Sequence, residues 1–158
     1  MLKRNSTTKV IIHISASSLD HQDNIEAVRE LHTSTKEIQW GNYKTKGFGW
    51  SDIGYHFFIP RNNPKIELGR DLSLMGAHCK NHNSESIGIC LSGNSHPTDA
   101  QLNELKICLD SLFAMYPDLN PSRVFGHREL NDKKDCPLFS VSNFILDSYS
   151  ENEYSLLF

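Results

Sequence analysis

The chain has 158 residues and a formal net charge of −3 at pH 7, with 38% hydrophobic and 22% charged residues. This length fits one domain with a sizeable core, and the balanced composition excludes disordered, collagen-like and coiled-coil proteins. The basic residues are spread along the chain, which argues against nucleic-acid binding, and no apolar run approaches the roughly 20 residues of a membrane span. The N-terminus lacks the apolar core of an export signal. We therefore expect a monomer made in the cytoplasm, with no nucleic-acid partner and no membrane insertion.

The N-terminal part of the chain predicts a buried strand, a helix and an insertion. The β-branched apolar run Lys9–Ile14 ends in serines and is typical of a central strand. Apolar residues recur at spacing three over residues 23–32, and Asp23 or Asn24 could cap the start, so this stretch predicts an amphipathic helix against the sheet. Residues Lys36–Trp50 are rich in aromatics, glycine and lysine without a regular period. We expect a loop or irregular insertion there, where binding surface is common.

The remaining elements complete a mixed architecture. Gly54–Ile59 and Lys65–Leu68 flank an Asn-Asn-Pro turn and predict a hairpin. The later elements are a strand at Ser86–Leu91, a helix capped by Thr98 and running to about Tyr116, a short strand at Arg123–Phe125 and a last helix from Val141. Strands interleaved with helices, two of them joined as a hairpin, predict an α/β fold with a central mixed sheet flanked by helices. One domain would span residues 1–158, with its core at about residues 9–148.

Four chemically demanding residues lie in three separated segments: His13, Tyr55, and His127 with Cys136. Two imidazoles and a thiolate could ligate zinc, and three protein ligands without a fourth are typical of catalytic zinc, which keeps one position for water. Taken singly, each of these residues would more often be structural. The chain has no Cys-x-x-Cys pair and is large enough not to need disulfides, so we expect reduced cysteines.

A set of short segments, taken in order, is more specific than any single residue. They are Ile11–His13 with Ser15 and Ala16, Gly49–Phe57, Leu68–Asp71, Gly76–His78, Ser86–Leu91, Gly126–His127 and Lys134–Pro137. With these segments the chain, from about Val10 to Phe139, resembles the zinc-dependent N-acetylmuramoyl-L-alanine amidases of the type-2, peptidoglycan-recognition-protein-like fold, which include small phage lysozymes with amidase activity. The resemblance implies that fold and hydrolysis of the amide between N-acetylmuramic acid and L-alanine of peptidoglycan.

The resemblance also implies roles for individual residues. His13, His127 and Cys136 look like the ligands of Zn²⁺, Tyr55 like the residue beside the metal-bound water, and Lys134 like the cation near the reacting carbonyl. Zinc lowers the pKa of bound water to about 7 and polarises the amide oxygen, and a fixed ammonium or phenol offsets the developing negative charge. The resemblance also implies that recognition proteins of this fold without activity are those that lack the thiolate ligand. All five of these positions are occupied in this chain, which favours an active enzyme.

Two further histidines and the insertion complete the predicted site. His78 lies in a segment that resembles the groove-lining part of the family, so it is a candidate for substrate binding and not for metal binding. His56 alternates with Tyr55 on the predicted strand and is expected to be structural. The Lys36–Phe48 segment is longer than in compact phage members, which could alter substrate contacts.

Three other classes of protein share some of these residues with the amidases. The His127-Arg128-Glu129 sequence matches half of a zinc-deaminase signature, but the required Pro-Cys-x-x-Cys does not follow. A cysteine hydrolase using Cys136 and His127 would leave His13 and Lys134 without roles. The strongest alternative is a non-catalytic module that binds peptidoglycan or muropeptide. The sequence leaves open a phage lysis enzyme, a delivered toxin or muropeptide recycling, with action at the cell wall or periplasm or on a cytoplasmic muropeptide pool.

Overall fold

The computed structural model describes residues 1–149 of the chain. Within that range the strands are β1 (Lys9–Ile14), β2 (Glu37–Trp40), β3 (Tyr43–Lys46), β4 (Phe57–Ile59), β5 (Glu67–Leu68), β6 (Ser86–Leu91) and β7 (Val124–Gly126). The α-helices are α1 (Ile25–Thr33), α2 (Asp99–Met115), α3 (His127–Leu130) and α4 (Val141–Ser148). The main sheet has the order β5-β4-β6-β1-β7. Its pairs are parallel except for the antiparallel β4–β5 hairpin, so the mixed sheet is confirmed.

The central strands β1 and β6 are buried on both faces, as continuous apolar sequences predict. On one face, Val10 and Ile12 pack with the apolar side of α2, including Leu105 and Leu109. On the other face, α1 packs with Trp40, Phe58 and Cys90. Because side chains alternate along a strand, His13 projects from the opposite face to Ile12 and therefore toward the α1 side.

The two longest helices begin at the predicted caps. The Asn24 side chain accepts a hydrogen bond from the backbone N–H of Ala27 and opens α1. The Thr98 hydroxyl accepts from the N–H of Gln101, whose side chain accepts in return from the N–H of Thr98, which forms a capping box for α2. The predicted last helix is also present as α4. Within the described residues, no helix is both long and apolar enough to cross a membrane.

The loop predicted over Lys36–Trp50 is wrong for residues 37–46, which form the β2–β3 hairpin, whereas residues 47–50 lie outside any helix or strand. Gly41 and Asn42 form a two-residue turn between the paired residues Trp40 and Tyr43, and Gly41 has a φ of +58°, which glycine adopts without strain. The Trp40 side chain is 2% exposed and joins the core. A Gly-Asn pair between two short alternating runs is a hairpin signal that the sequence analysis did not use.

The predicted hairpin at Gly54–Leu68 is confirmed, but both of its strands are shorter than expected. β4 begins at Phe57, although the backbone of the two preceding residues still bonds to neighbouring segments, since the His56 N–H donates to the Gly88 carbonyl and the Tyr55 carbonyl accepts the Arg70 N–H. His56 is 1% exposed, and its two ring nitrogens bond to the Leu74 carbonyl and the Gly88 N–H. These backbone bonds are what a structural histidine would make.

Candidate metal centre

The ligand atoms of His13, His127 and Cys136 come together, all within 4.8 Å of one another. His13 is near the end of β1, and His127 directly follows β7, the parallel neighbour of β1. Ile12 is paired with Gly126, so the residue after each lies at the same edge of the sheet. The register of two parallel strands thus places the imidazoles side by side.

Cys136 is fixed against the same edge by backbone hydrogen bonds. Its sulfur accepts the N–H of Ile14 at 3.1 Å, directly after His13. Its carbonyl accepts the N–H of Arg128 at 2.8 Å, directly after His127. The neighbours of both histidines therefore hold the cysteine, which makes the three ligand positions mutually dependent.

The two imidazoles are kept neutral by their surroundings. Burial holds the pKa of His13 well below its usual value, and the nearby His78, His127 and His32 lower it further. Burial, followed by the charge of Lys134, lowers the pKa of His127. Since only a neutral imidazole offers a lone pair to a metal, both groups are suited to act as ligands at neutral pH.

The thiol of Cys136 is held in its protonated form when no cation is nearby. Burial raises its pKa to about 11, although the Ile14 N–H and the charge of Lys134 act in the opposite direction. A metal ion would displace this proton, because thiolate is the ligand form. The N–H of Ile14 is then placed to donate to the thiolate.

Tyr55 lies beside the ligands, with its ring centroid 5.0 Å from that of His13. Its backbone carbonyl accepts the N–H of Arg70 at 2.8 Å, and a Cβ at Gly69 would lie 2.3 Å from that carbonyl oxygen, so glycine is required there. Burial raises the pKa of Tyr55 well above its usual value, and the thiols of Cys90 and Cys136 raise it further. The hydroxyl therefore remains a hydrogen-bond donor at neutral pH.

Lys134 is exposed and follows a turn closed by its own N–H donating to the Asn131 carbonyl at 3.1 Å. Its charge lowers the pKa of both His127 and Cys136. The role of Lys134 as the cation near the reacting carbonyl stays a prediction.

His78 is 9% exposed and reaches the ligand His13 directly. Its Nδ1 lies 2.9 Å from Nε2 of His13, and its Nε2 lies 3.3 Å from Oγ of Ser86. Both ring nitrogens therefore have partners inside the protein. The predicted contact with substrate stays a prediction, and the bond to His13 was not foreseen from the sequence.

His32 is a site residue that the sequence analysis missed. Its ring centroid lies 5.3 Å from those of Tyr55 and Phe48 and 4.8 Å from that of Trp50. Phe48 and Trp50 are 45% and 38% exposed, so the ring cluster runs from the metal centre to the surface. Burial and the charge of Arg70 lower the pKa of His32 to about 4. The available signal was helical spacing, since His32 lies on the same face of α1 as Ile25 and Val28.

Comparisons with known proteins show the family of this chain. The Amidase_2 family, described as N-acetylmuramoyl-L-alanine amidase, matches residues 3–138. The endolysin of Escherichia phage T7 is 31% identical over 150 residues, which cover 90% of this chain and 87% of the phage protein. The solved Ph2119 endolysin, from a bacteriophage of Thermus scotoductus, superposes with a TM-score of 0.72 at 19% identity, covering 94% of this chain and 88% of that one. A mutant of Drosophila PGRP-LB in complex with tracheal cytotoxin gives a TM-score of 0.66 at 25% identity, with coverage of 92% and 87%.

Proposed function

Because this chain belongs to the N-acetylmuramoyl-L-alanine amidase family, we propose that His13, His127 and Cys136 bind the zinc ion with which it works. The enzyme hydrolyses the amide bond between N-acetylmuramic acid and L-alanine of peptidoglycan. The observation that carries the metal proposal is the convergence of two imidazoles and a thiol within 4.8 Å, from two separate parts of the chain.

The chemistry of the donor set fits zinc. Imidazole nitrogen and thiolate sulfur are preferred zinc ligands, and three of them leave a coordination position for water or substrate. When bound, zinc would supply a water of lowered pKa and a Lewis acid for the amide oxygen. The low pKa values of His13 and His127 favour neutral ligands, and the Ile14 N–H favours the Cys136 thiolate.

Tyr55 and Lys134 are proposed to stabilise the charge that develops on the amide oxygen. The Tyr55 hydroxyl keeps its proton because burial raises its pKa, so it can donate a hydrogen bond to that oxygen. Lys134 is exposed, and its positive charge lowers the pKa of both His127 and Cys136, so it would supply a cation to the site. The substrate contact predicted for His78 remains part of this proposal.

We propose that peptidoglycan or muropeptide binds beside the exposed rings of Phe48 and Trp50, which are continuous with Tyr55 through His32. The enzyme would act as a monomer on the cell wall or on fragments derived from it. The solved relative in complex with tracheal cytotoxin supports binding of such ligands by this fold.

The decisive experiment incubates purified peptidoglycan with the protein, with and without a zinc chelator, and identifies the groups released. New alanine amines without new reducing sugar ends, lost on chelation and restored by zinc, are the expected result. Tight binding without release would instead indicate the non-catalytic module. Hydrolysis that survives chelation but is lost on thiol alkylation would indicate a cysteine hydrolase using Cys136.

A further inference from the structure

We propose that His78 is a positioning residue that fixes which nitrogen of His13 faces the metal. The inference rests on the proposed zinc centre and adds to it a second layer of hydrogen bonds, made of His78 and Ser86. Its basis is a buried chain of polar contacts: Nε2 of His13 to Nδ1 of His78 at 2.9 Å, then Nε2 of His78 to Oγ of Ser86 at 3.3 Å.

The first step concerns the two nitrogens of His13. A neutral imidazole has one nitrogen that carries hydrogen and one that offers a lone pair. Because Nε2 is occupied by His78, Nδ1 is the nitrogen left for a metal. Nδ1 can offer its lone pair only if the hydrogen is on Nε2, so His13 must donate and His78 must accept.

The second step follows from the acceptor role of His78. If its Nδ1 accepts, its hydrogen must be on Nε2, which then donates to the hydroxyl of Ser86. Ser86 is fully buried at the start of β6. The chain Ser86–His78–His13 therefore has one direction of donation that is compatible with a metal at His13. The opposite direction would place a hydrogen on Nδ1 of His13 and exclude the metal.

The third step is that the His78 ring is held rigidly in this orientation. A Cβ at Gly88 would lie 2.6 Å from Cγ of His78, and one at Gly76 would lie 2.7 Å from Cδ2, so the ring fits between two glycine backbones. The Oδ1 of Asn83 accepts the backbone N–H groups of His78 and Cys79 at 3.0 and 2.9 Å. The loop and the ring thus have little freedom to turn away from His13.

Groups that orient a metal ligand typically contribute about 10- to 100-fold to metal affinity. The test compares His78→Phe, which keeps a flat ring but has no acceptor, with His78→Asn, whose amide oxygen can accept near the place of Nδ1. Zinc affinity is measured by competition with a chromophoric chelator, and the urea midpoint of the metal-free proteins reports folding separately. We expect affinity to fall about 10- to 100-fold in the Phe variant and to recover to within about threefold of wild type in the Asn variant.

The matched control is His82→Phe, four residues along the same segment and outside the contact chain, with its Nδ1 directed to Lys9. Its zinc affinity should equal that of wild type. An unchanged affinity in His78→Phe, or an equal loss in the Phe and Asn variants, would overturn the acceptor role. A wild-type protein that does not bind zinc would overturn the metal proposal itself, together with the inference that rests on it.

A measurement on the unmutated protein covers the case in which the variants do not fold. Long-range ¹H–¹⁵N correlation spectra of the zinc-loaded protein distinguish imidazole nitrogens that carry hydrogen from those that do not. We expect hydrogen on Nε2 of both His13 and His78. Hydrogen on Nδ1 of His78 would contradict the proposed direction of donation, whatever the result of mutagenesis.

Discussion

The metal centre and the β2–β3 hairpin both adjoin the end of β1, but they are held in place by different kinds of contact. His13 belongs to β1 itself and meets His127 through the register of two parallel strands. The hairpin attaches two residues later, where the indole N–H of Trp40 donates to the Ser15 carbonyl at 2.7 Å. The metal centre therefore depends on the register of the sheet, whereas the β2–β3 hairpin depends on its turn and on the anchoring side chain of Trp40.

Because the two regions are held by different contacts, changes in the hairpin can be separated from changes at the metal centre. The proposed metal ligands are tied to one another, since the residues after His13 and His127 both bond to Cys136. The hairpin is tied to the site through Trp40 and through Gln22, whose side chain bonds to the Gln39 carbonyl and the Gly41 N–H. Changes in the hairpin should therefore alter stability and substrate contact before they alter metal binding.

The largest expected effect is at the metal centre. Replacement of Cys136 by Ala should abolish zinc binding and lower amidase activity by at least about 1000-fold, because unassisted water has a pKa of about 15.7 against about 7 on zinc. The urea midpoint of the metal-free protein should fall modestly, because removal of the sulfur leaves the Ile14 N–H without its acceptor. Retained hydrolysis with normal zinc content would show that Cys136 is not a ligand.

Replacement of Trp40, which anchors the hairpin, should lower stability but leave zinc binding unchanged. Trp40→Ala removes a side chain that is 2% exposed, together with its bond to Ser15, and should lower the free energy of unfolding by about 3–5 kcal/mol. Zinc affinity, measured below the unfolding transition, should stay within about threefold of wild type, since the ligands depend on strand register. A parallel loss of zinc affinity would show that the two regions form one unit.

The third effect distinguishes a catalytic donor from a ligand. Tyr55→Phe keeps the ring against His13 but removes the hydroxyl, and should lower kcat about 100- to 1000-fold. Zinc affinity and KM for peptidoglycan should change little, because the donor acts on charge that develops during the reaction. A rise in KM at unchanged kcat would assign the hydroxyl to ground-state binding instead.

The same comparison explains what could be predicted from the sequence. The β1 and β6 boundaries, the α2 cap and the convergence of His13, His127 and Cys136 follow from long apolar runs, a capping box and ordered motifs. The hairpin was missed because each strand has only four residues and the evidence for pairing lies in two turn residues. Helical spacing places His32 on the buried face of α1, but the ring partners of His32 and His78 depend on which side chains the folded chain brings together.

The ring cluster of His32, Phe48, Trp50 and Tyr55 has an expected pH signature. Burial lowers the pKa of His32 to about 4 against about 6.5 in an unfolded chain, so the unfolded state binds more protons as pH falls below 6.5. The stability that neutral His32 contributes is present above pH 6.5 and is lost between pH 6.5 and 4. Between pH 7 and 5 this loss is about 2 kcal/mol.

Urea unfolding of the metal-free protein at the two pH values measures this loss. His32→Gln removes the titrating group, so its stability should fall by about 2 kcal/mol less than that of wild type over the same interval. An identical fall in both proteins would mean that other buried groups, such as His56, account for the acid sensitivity.

The smallest expected effect concerns the exposed end of the ring cluster. Phe48 is 45% exposed and stacks on His32 at an interplanar angle of 23°, so its outer face is available to a ligand beside the metal centre. An aromatic contact of this kind contributes about 0.5–1.5 kcal/mol. Phe48→Ala should therefore raise KM for peptidoglycan about 2- to 12-fold at unchanged kcat.

Leu68→Ala, at a 73% exposed position on the β4–β5 hairpin, is the control and should leave both constants unchanged. If Phe48→Ala lowers kcat instead, the Phe48 ring supports Tyr55 through His32, and the exposed end of the ring cluster contributes to chemistry as well as to binding.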